Sequence, residues 1–120
     1  MWKGPRAINT IITDASCFIL LDNIGGVEVL QKLYKQVITT TEIAAEYGKE
    51  LPQFVSVKAV ENRDLLYWYA EVVDIGEASA MALANEVISP LLILDDLAAR
   101  KLAEQLQMPF TGTIGVLVFA

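Results

Sequence analysis

Two apolar runs in the chain each end on acidic residues and then turn helical: Ile11-Ile12-Thr13-Asp14-Ala15-Ser16 and Leu92-Ile93-Leu94-Asp95-Asp96. In a parallel α/β sheet, ligands sit beyond the carboxyl ends of the strands, where the strand order reverses. Carboxylates placed there from two strands would converge on one crevice. Offsetting their charge takes protons, basic partners or a cation, and an all-oxygen donor set suits a hard divalent metal. Glu42 and Glu46 lie four apart on one helical face, where like charges repel unless solvated or turned toward a cation. Glu77 is a further acid, in the first turn of its own helix.

Every one of these residues also has a purely structural use. Aspartate is a favoured helix N-cap, which suits Asp14 and one of Asp95 and Asp96. A helix needs one cap, so the second aspartate is a surplus, and adjacent like charges are costly unless offset. A substitution at Asp96 is therefore expected to spare the fold. The helix macrodipole welcomes Glu77 without any function. What sets the acids apart is their joint placement at the C-terminal edge of one sheet.

Other chemistry is excluded or weak. The chain has no histidine, which removes Ser/His/Asp and Cys/His triads, histidine-rich zinc sites and imidazole bases. Cys17 lies inside an apolar run and reads as a small buried hydrophobe. Neither Gly25-Gly26 nor Gly112-Thr113-Ile114-Gly115 fits a phosphate or dinucleotide fingerprint. Tyr67-Trp68-Tyr69 could stack on bases, but aromatics on an amphipathic helix more often serve core or interface. A net charge of −6 speaks against a broad basic surface for nucleic acid. It leaves room for a metal-bridged one, because bound cations reverse the local charge.

The elements that must position these groups follow from size and periodicity. The 120 residues, 54% of them hydrophobic, suffice for one packed domain spanning 1–120. No apolar run reaches the roughly 18 residues of a membrane span. Lys3 and Arg6 precede a stretch cut by Asn9, Thr10, Thr13 and Asp14, a poor signal peptide, and a single cysteine suits a reducing cytoplasm.

Strands are expected at Ile8 to Thr13, Val37 to Thr39, Phe54 to Val60, Leu91 to Leu94 and Met108 to Thr111. Helices are expected at Ala15 to Leu21, Val27 to Lys35, from a Thr41 cap to Tyr47 with Gly48 as stop, and at Asn62 to Val72. Two more run from Gly76 to a stop at Ser89-Pro90, and from Ala98 to Leu106. Thr113 to Ala120 is ambiguous, since β-branching suggests a strand and Thr113 a helix cap. The alternation predicts a doubly wound α/β sheet with helices on both faces.

In this order the motifs resemble a known family. Ile12-Thr-Asp-Ala-Ser16, Thr41-Glu-Ile-Ala-Ala-Glu46, Gly76-Glu-Ala-Ser-Ala-Met-Ala-Leu-Ala84, Leu92-Ile-Leu-Asp-Asp96 with Ala99-Arg100 and Ala103, and Thr111-Gly-Thr-Ile-Gly-Val-Leu117 resemble the PIN-domain ribonucleases. They look closest to the compact prokaryotic branch that includes VapC-type toxins. The resemblance implies a three-layer α/β/α fold with a central parallel sheet of order 3-2-1-4-5. It implies a Mg²⁺- or Mn²⁺-dependent endoribonuclease cutting single-stranded RNA, with Asp14, Glu46, Glu77 and Asp96 as successive acids. Ser16 would support the first, and Asp95 would be a contested neighbour of the last in binding metal.

As a toxin-like protein the chain would meet an antitoxin protein and form a homodimer, with Val27 to Tyr34 and Leu65 to Tyr69 offering spare apolar surface. It departs from the family in carrying threonines at 39 to 41 where prolines are common, and in stopping at Ala120 where relatives often continue into further helices. Two other readings remain. One is a PIN-like interaction domain that binds a partner protein and does not turn over. The other is a phosphoacceptor receiver, disfavoured because its paired acids follow the first strand and a lysine ends a late one.

Overall fold

The computed structural model describes the backbone of residues 10–119 and the side chains of residues 10–116; Ile8, Asn9 and Ala120 of the expected elements lie outside them. The chain runs β1 (Thr10–Ile12), α1 (Ala15–Asn23), α2 (Glu28–Leu33), β2 (Gln36–Thr40), α3 (Thr41–Tyr47) and β3 (Val55–Lys58). It continues through α4 (Arg63–Tyr69), α5 (Ile75–Ala84), β4 (Pro90–Ile93), α6 (Leu97–Gln105), β5 (Phe110–Thr111) and α7 (Thr113–Phe119). All five strands are parallel, in the order β3-β2-β1-β4-β5. Helices flank the sheet, giving the expected α/β architecture.

The order reverses at β1. Its Ile12 pairs with Ile38 of β2 on one side and Leu92 of β4 on the other. The loops leaving β1 and β4 therefore emerge side by side. β1 is buried at every residue, as a central parallel strand must be, which is why it reads as an unbroken β-branched run. Ile11, Ile12, Ile38, Leu92 and Ile93 form the middle of the core, with Phe18 and Leu21 of α1 and Met81 of α5 packed against the sheet.

α5 is buried from Gly76 through Ala84. A helix apolar all round belongs inside a domain, and here small residues let α5 pack against β2, β4, α3, α4 and α6. It ends at Ala84, earlier than the Ser89-Pro90 stop expected from sequence. Pro90 instead opens β4, a position where its missing N–H costs the ladder least.

Caps account for the remaining differences. Thr40 caps α3 by accepting the Ile43 N–H, one residue before the expected Thr41. The ambiguous tail is helical, and Thr113 is its first residue rather than its cap: the Thr113 N–H donates to Asp95 Oδ1 at 2.9 Å. α4 spans only Arg63–Tyr69, shorter than its periodicity suggested.

Candidate active site

Beyond the carboxyl ends of β1 and β4 lies a crevice of about 180 Å³ whose lining includes Asp14, Ser16, Glu46, Asp74, Glu77 and Asp96. Four acids singled out from sequence thus share one cavity. Asp95 is not part of the lining, and Asp74 is an addition.

The strand-end wall is held by short hydrogen bonds. Asp14 caps α1, its Oδ1 accepting the Cys17 N–H at 2.9 Å and its Oδ2 the Ser16 hydroxyl at 2.9 Å. Burial pushes the Asp14 carboxyl up to about 6, those bonds partly restrain the rise, and the charge of Asp95 adds to it. Cys17 is buried, as its apolar surroundings predict, and burial drives its thiol up to about 12.

Asp95 and Asp96 divide two tasks. Asp96 caps α6 through the Ala99 N–H at 3.1 Å and faces the crevice. Asp95 holds the other side of the loop: it accepts the Thr113 N–H at 2.9 Å and the Thr113 hydroxyl at 2.6 Å. Arg100 stands 3.7 Å from its Oδ1 and donates its Nε to the Leu94 carbonyl at 2.7 Å. The Ser16 hydroxyl lies 3.4 Å from Asp95 Oδ2, so it sits between the acids of both strands. Neither aspartate is a surplus. The expectation that Asp96 could be lost at no structural cost is corrected, because Asp96 is the cap of its helix.

The helical wall is less constrained. Asp74 caps α5 by accepting the Glu77 N–H at 2.9 Å. A hydrogen bond from the Glu77 carboxyl, with the amides of Glu77 and Gly76, holds Asp74 below the usual carboxylate range. Glu77 moves the opposite way. Burial first, then the hydrogen bond to Asp74 and the charges of Asp74, Asp96 and Asp14, push it up to about 9. Glu77 therefore carries its proton at neutral pH in the metal-free protein. Burial and the charge of Asp74 also raise Glu46. Glu42 shares the helix of Glu46 yet turns to a cation of the protein itself, Arg63 Nη2 at 3.0 Å.

Asp74 is the residue that sequence reasoning missed. Its signal was present: Asp74 followed by Glu77 three positions on has the form of an N-terminal capping pair. Starting the helix at Gly76 hid it.

The donor set fits a hard divalent cation. Its atoms are carboxylate oxygens, with a serine hydroxyl beside them and, among the described residues, no lysine or arginine in the lining. Beyond what burial and its hydrogen bond to Asp74 do to Glu77, the charges of Asp74, Asp96 and Asp14 raise it further, a repulsion that a cation would relieve. Among the described residues no group of three or more Asp, Glu, His or Cys side chains is already arranged to hold an ion, so binding would draw the carboxylates inward.

An α/β/α sheet of this order, with acids gathered where it reverses, is consistent with a PIN-like fold. The chain belongs to the PIN-domain family: a family model described as a PIN domain matches residues 10–120. PIN domains are generally nucleases, act on nucleic acid and usually employ divalent metals. No curated protein and no solved structure matches the chain. No helix among the described residues is long and apolar enough to cross a membrane.

Proposed function

We propose that the protein is a Mg²⁺- or Mn²⁺-dependent endoribonuclease acting on single-stranded RNA. The observation that carries this reading is the convergence of Asp14, Glu46, Glu77 and Asp96 on one crevice at the switch point of a PIN fold. Asp14 and Asp96 would hold the cation, with Glu46 and Glu77 as further oxygen ligands or partners of its waters. A cation bound there would supply charge neutralisation and a water of lowered pKa for phosphodiester hydrolysis.

The chain's own residues prepare that site. The Cys17 N–H and Ser16 hydroxyl fix the direction of the Asp14 carboxylate. The Ala99 N–H does the same for Asp96. Glu77, hydrogen-bonded through its proton to Asp74, would give up that proton if a cation entered the crevice. RNA cleavage in Mn²⁺ that stops in EDTA, and is lost in the Asp14→Asn, Asp96→Asn double variant, is the expected result. Cleavage undiminished in that variant would place the activity elsewhere.

A second reading, an interaction domain that does not cleave, is favoured by one feature: among the described residues, no basic side chain lines the crevice to receive phosphates. Partner binding without cleavage across several RNAs would select it. In either case the VapC-like branch, a cytoplasmic toxin role and an antitoxin partner are supported by the family resemblance alone. A homodimer has support from α4, where Tyr67 and Trp68 are exposed at 57% and 71%. α2 offers less than its sequence suggested, since Leu30 and Tyr34 are buried in the core. Sedimentation of a clean monomer would remove the homodimer.

A further inference from the structure

Gly76 is the second residue of α5, in a first turn where glycine is among the poorest choices for helix stability. Its backbone conformation does not call for glycine, since it is not one of the glycines with positive φ. Its surroundings do. A Cβ built on Gly76 would lie 2.7 Å from Glu46 Oε1, 3.5 Å from Asp74 Oδ1 and 3.6 Å from Ile43 Cγ1. The first contact is closer than real Cβ atoms come to an oxygen, and the other two are ordinary packing. The Glu46 carboxylate thus occupies the space that any side chain at position 76 would take.

We infer that Gly76 is a positioning residue, a berth that holds the Glu46 carboxylate over the start of α5 beside Asp74 and inside the crevice. The inference rests on the metal-binding reading above, which gives the placement of Glu46 its use. Glu46 comes from α3, whose residues at positions 45 and 46 are exposed, and no hydrogen bond among the described residues fixes its carboxylate. Close approach to α5 does that instead. The clashing atom is the far end of a flexible side chain, so alanine at 76 would turn Glu46 outward and leave α5 where it is. Substitution should therefore separate positioning from folding.

The test compares wild type, Gly76→Ala, Glu46→Gln and the double variant, titrated with Mn²⁺ alone by calorimetry, with thermal melts of the metal-free proteins. Gly76→Ala should weaken Mn²⁺ about as much as Glu46→Gln, at least roughly fivefold, the lower end of ordinary coupling between sites. It should add nothing in the Glu46→Gln background and should not lower Tm. Wild-type Mn²⁺ affinity in Gly76→Ala, or an equal further loss in the double variant, would overturn the inference. A crystal structure of metal-free Gly76→Ala provides an arm independent of metal: a displaced Glu46 carboxylate over an unmoved α5 supports the berth, and an unmoved carboxylate refutes it. Failure of the wild type itself to bind Mn²⁺ would sink the metal-binding reading, and the crystal arm alone would then decide the berth.

Discussion

The two walls of the crevice carry the same functional group and are built differently. On the strand-end wall, Asp14 and Asp96 are short side chains, each tied to a backbone N–H at the start of a helix. On the helical wall, Glu46 and Glu77 are longer, and neither carboxylate accepts a backbone N–H bond within the described residues. Asp74 apart, which caps α5 as Asp14 and Asp96 cap their helices, the helical wall is set by what packs or titrates around it. If the site binds a cation as proposed, the strand-end acids would be its fixed ligands and the glutamates those placed by packing.

That contrast can be broken most severely from the strand-end side. Asp14→Asn should cost RNA cleavage on the order of 10²-fold or more, the scale of losing one preorganised electrostatic contact. Glu46→Gln should cost distinctly less, as a ligand that adapts. Single-turnover rates at saturating Mn²⁺ check both, and equal losses would erase the distinction between the walls.

Next in size is the pH response of the helical wall. Glu77 has an ordinary value of 4.5 and a folded value of about 9, so the folded state holds a proton that the unfolded chain has released between those limits. Its stabilising contribution is complete below 4.5 and is lost progressively as pH rises to about 9. The Tm of the metal-free protein should fall across that window, and Glu77→Gln should flatten the slope. Asp14 adds a smaller fall in the same direction, between 3.8 and about 6. Mn²⁺ affinity should rise with pH over the Glu77 window, because binding displaces its proton. A Tm independent of pH from 5 to 9 in metal-free wild type would contradict the assignment.

Smaller still are the structural costs. Asp96→Ala should destabilise by about 1 kcal/mol, the usual worth of an N-cap. Denaturant melts would show it, and no change would mean that Asp96 is not needed to start α6. Smallest is Glu42→Gln, which removes an exposed pair with Arg63 and should shift stability by less than about 1 kcal/mol. It should leave Mn²⁺ affinity alone, since Glu42 does not line the crevice.

The same division explains what could be read from the sequence. The strand-end acids were legible because an aspartate between a β-branched run and a helix has only a few places to be. The parallel, doubly wound sheet followed from the alternation, and its strand order from the family resemblance. Asp74 was missed because the small residues after Gly76 drew the expected helix start one position late, past the cap. The distinct tasks of Asp95 and Asp96 were not legible at all. They depend on Thr113 and Arg100, which reach the loop after β4 only once β5 and α6 are in place.

The switch-point arrangement also has a consequence for synthesis. A ribosome that has made Asp14 and Glu46 has not yet made β4, the loop bearing Asp95 and Asp96, or the Thr113 amide that anchors Asp95. Nascent chains lacking these segments can already hold Asp14, Glu46, Asp74 and Glu77, but they lack Asp96 and the loop that carries it. The crevice is completed only once β4 and the start of α6 have been made, so a growing chain that stops short of them lacks one of its walls in part.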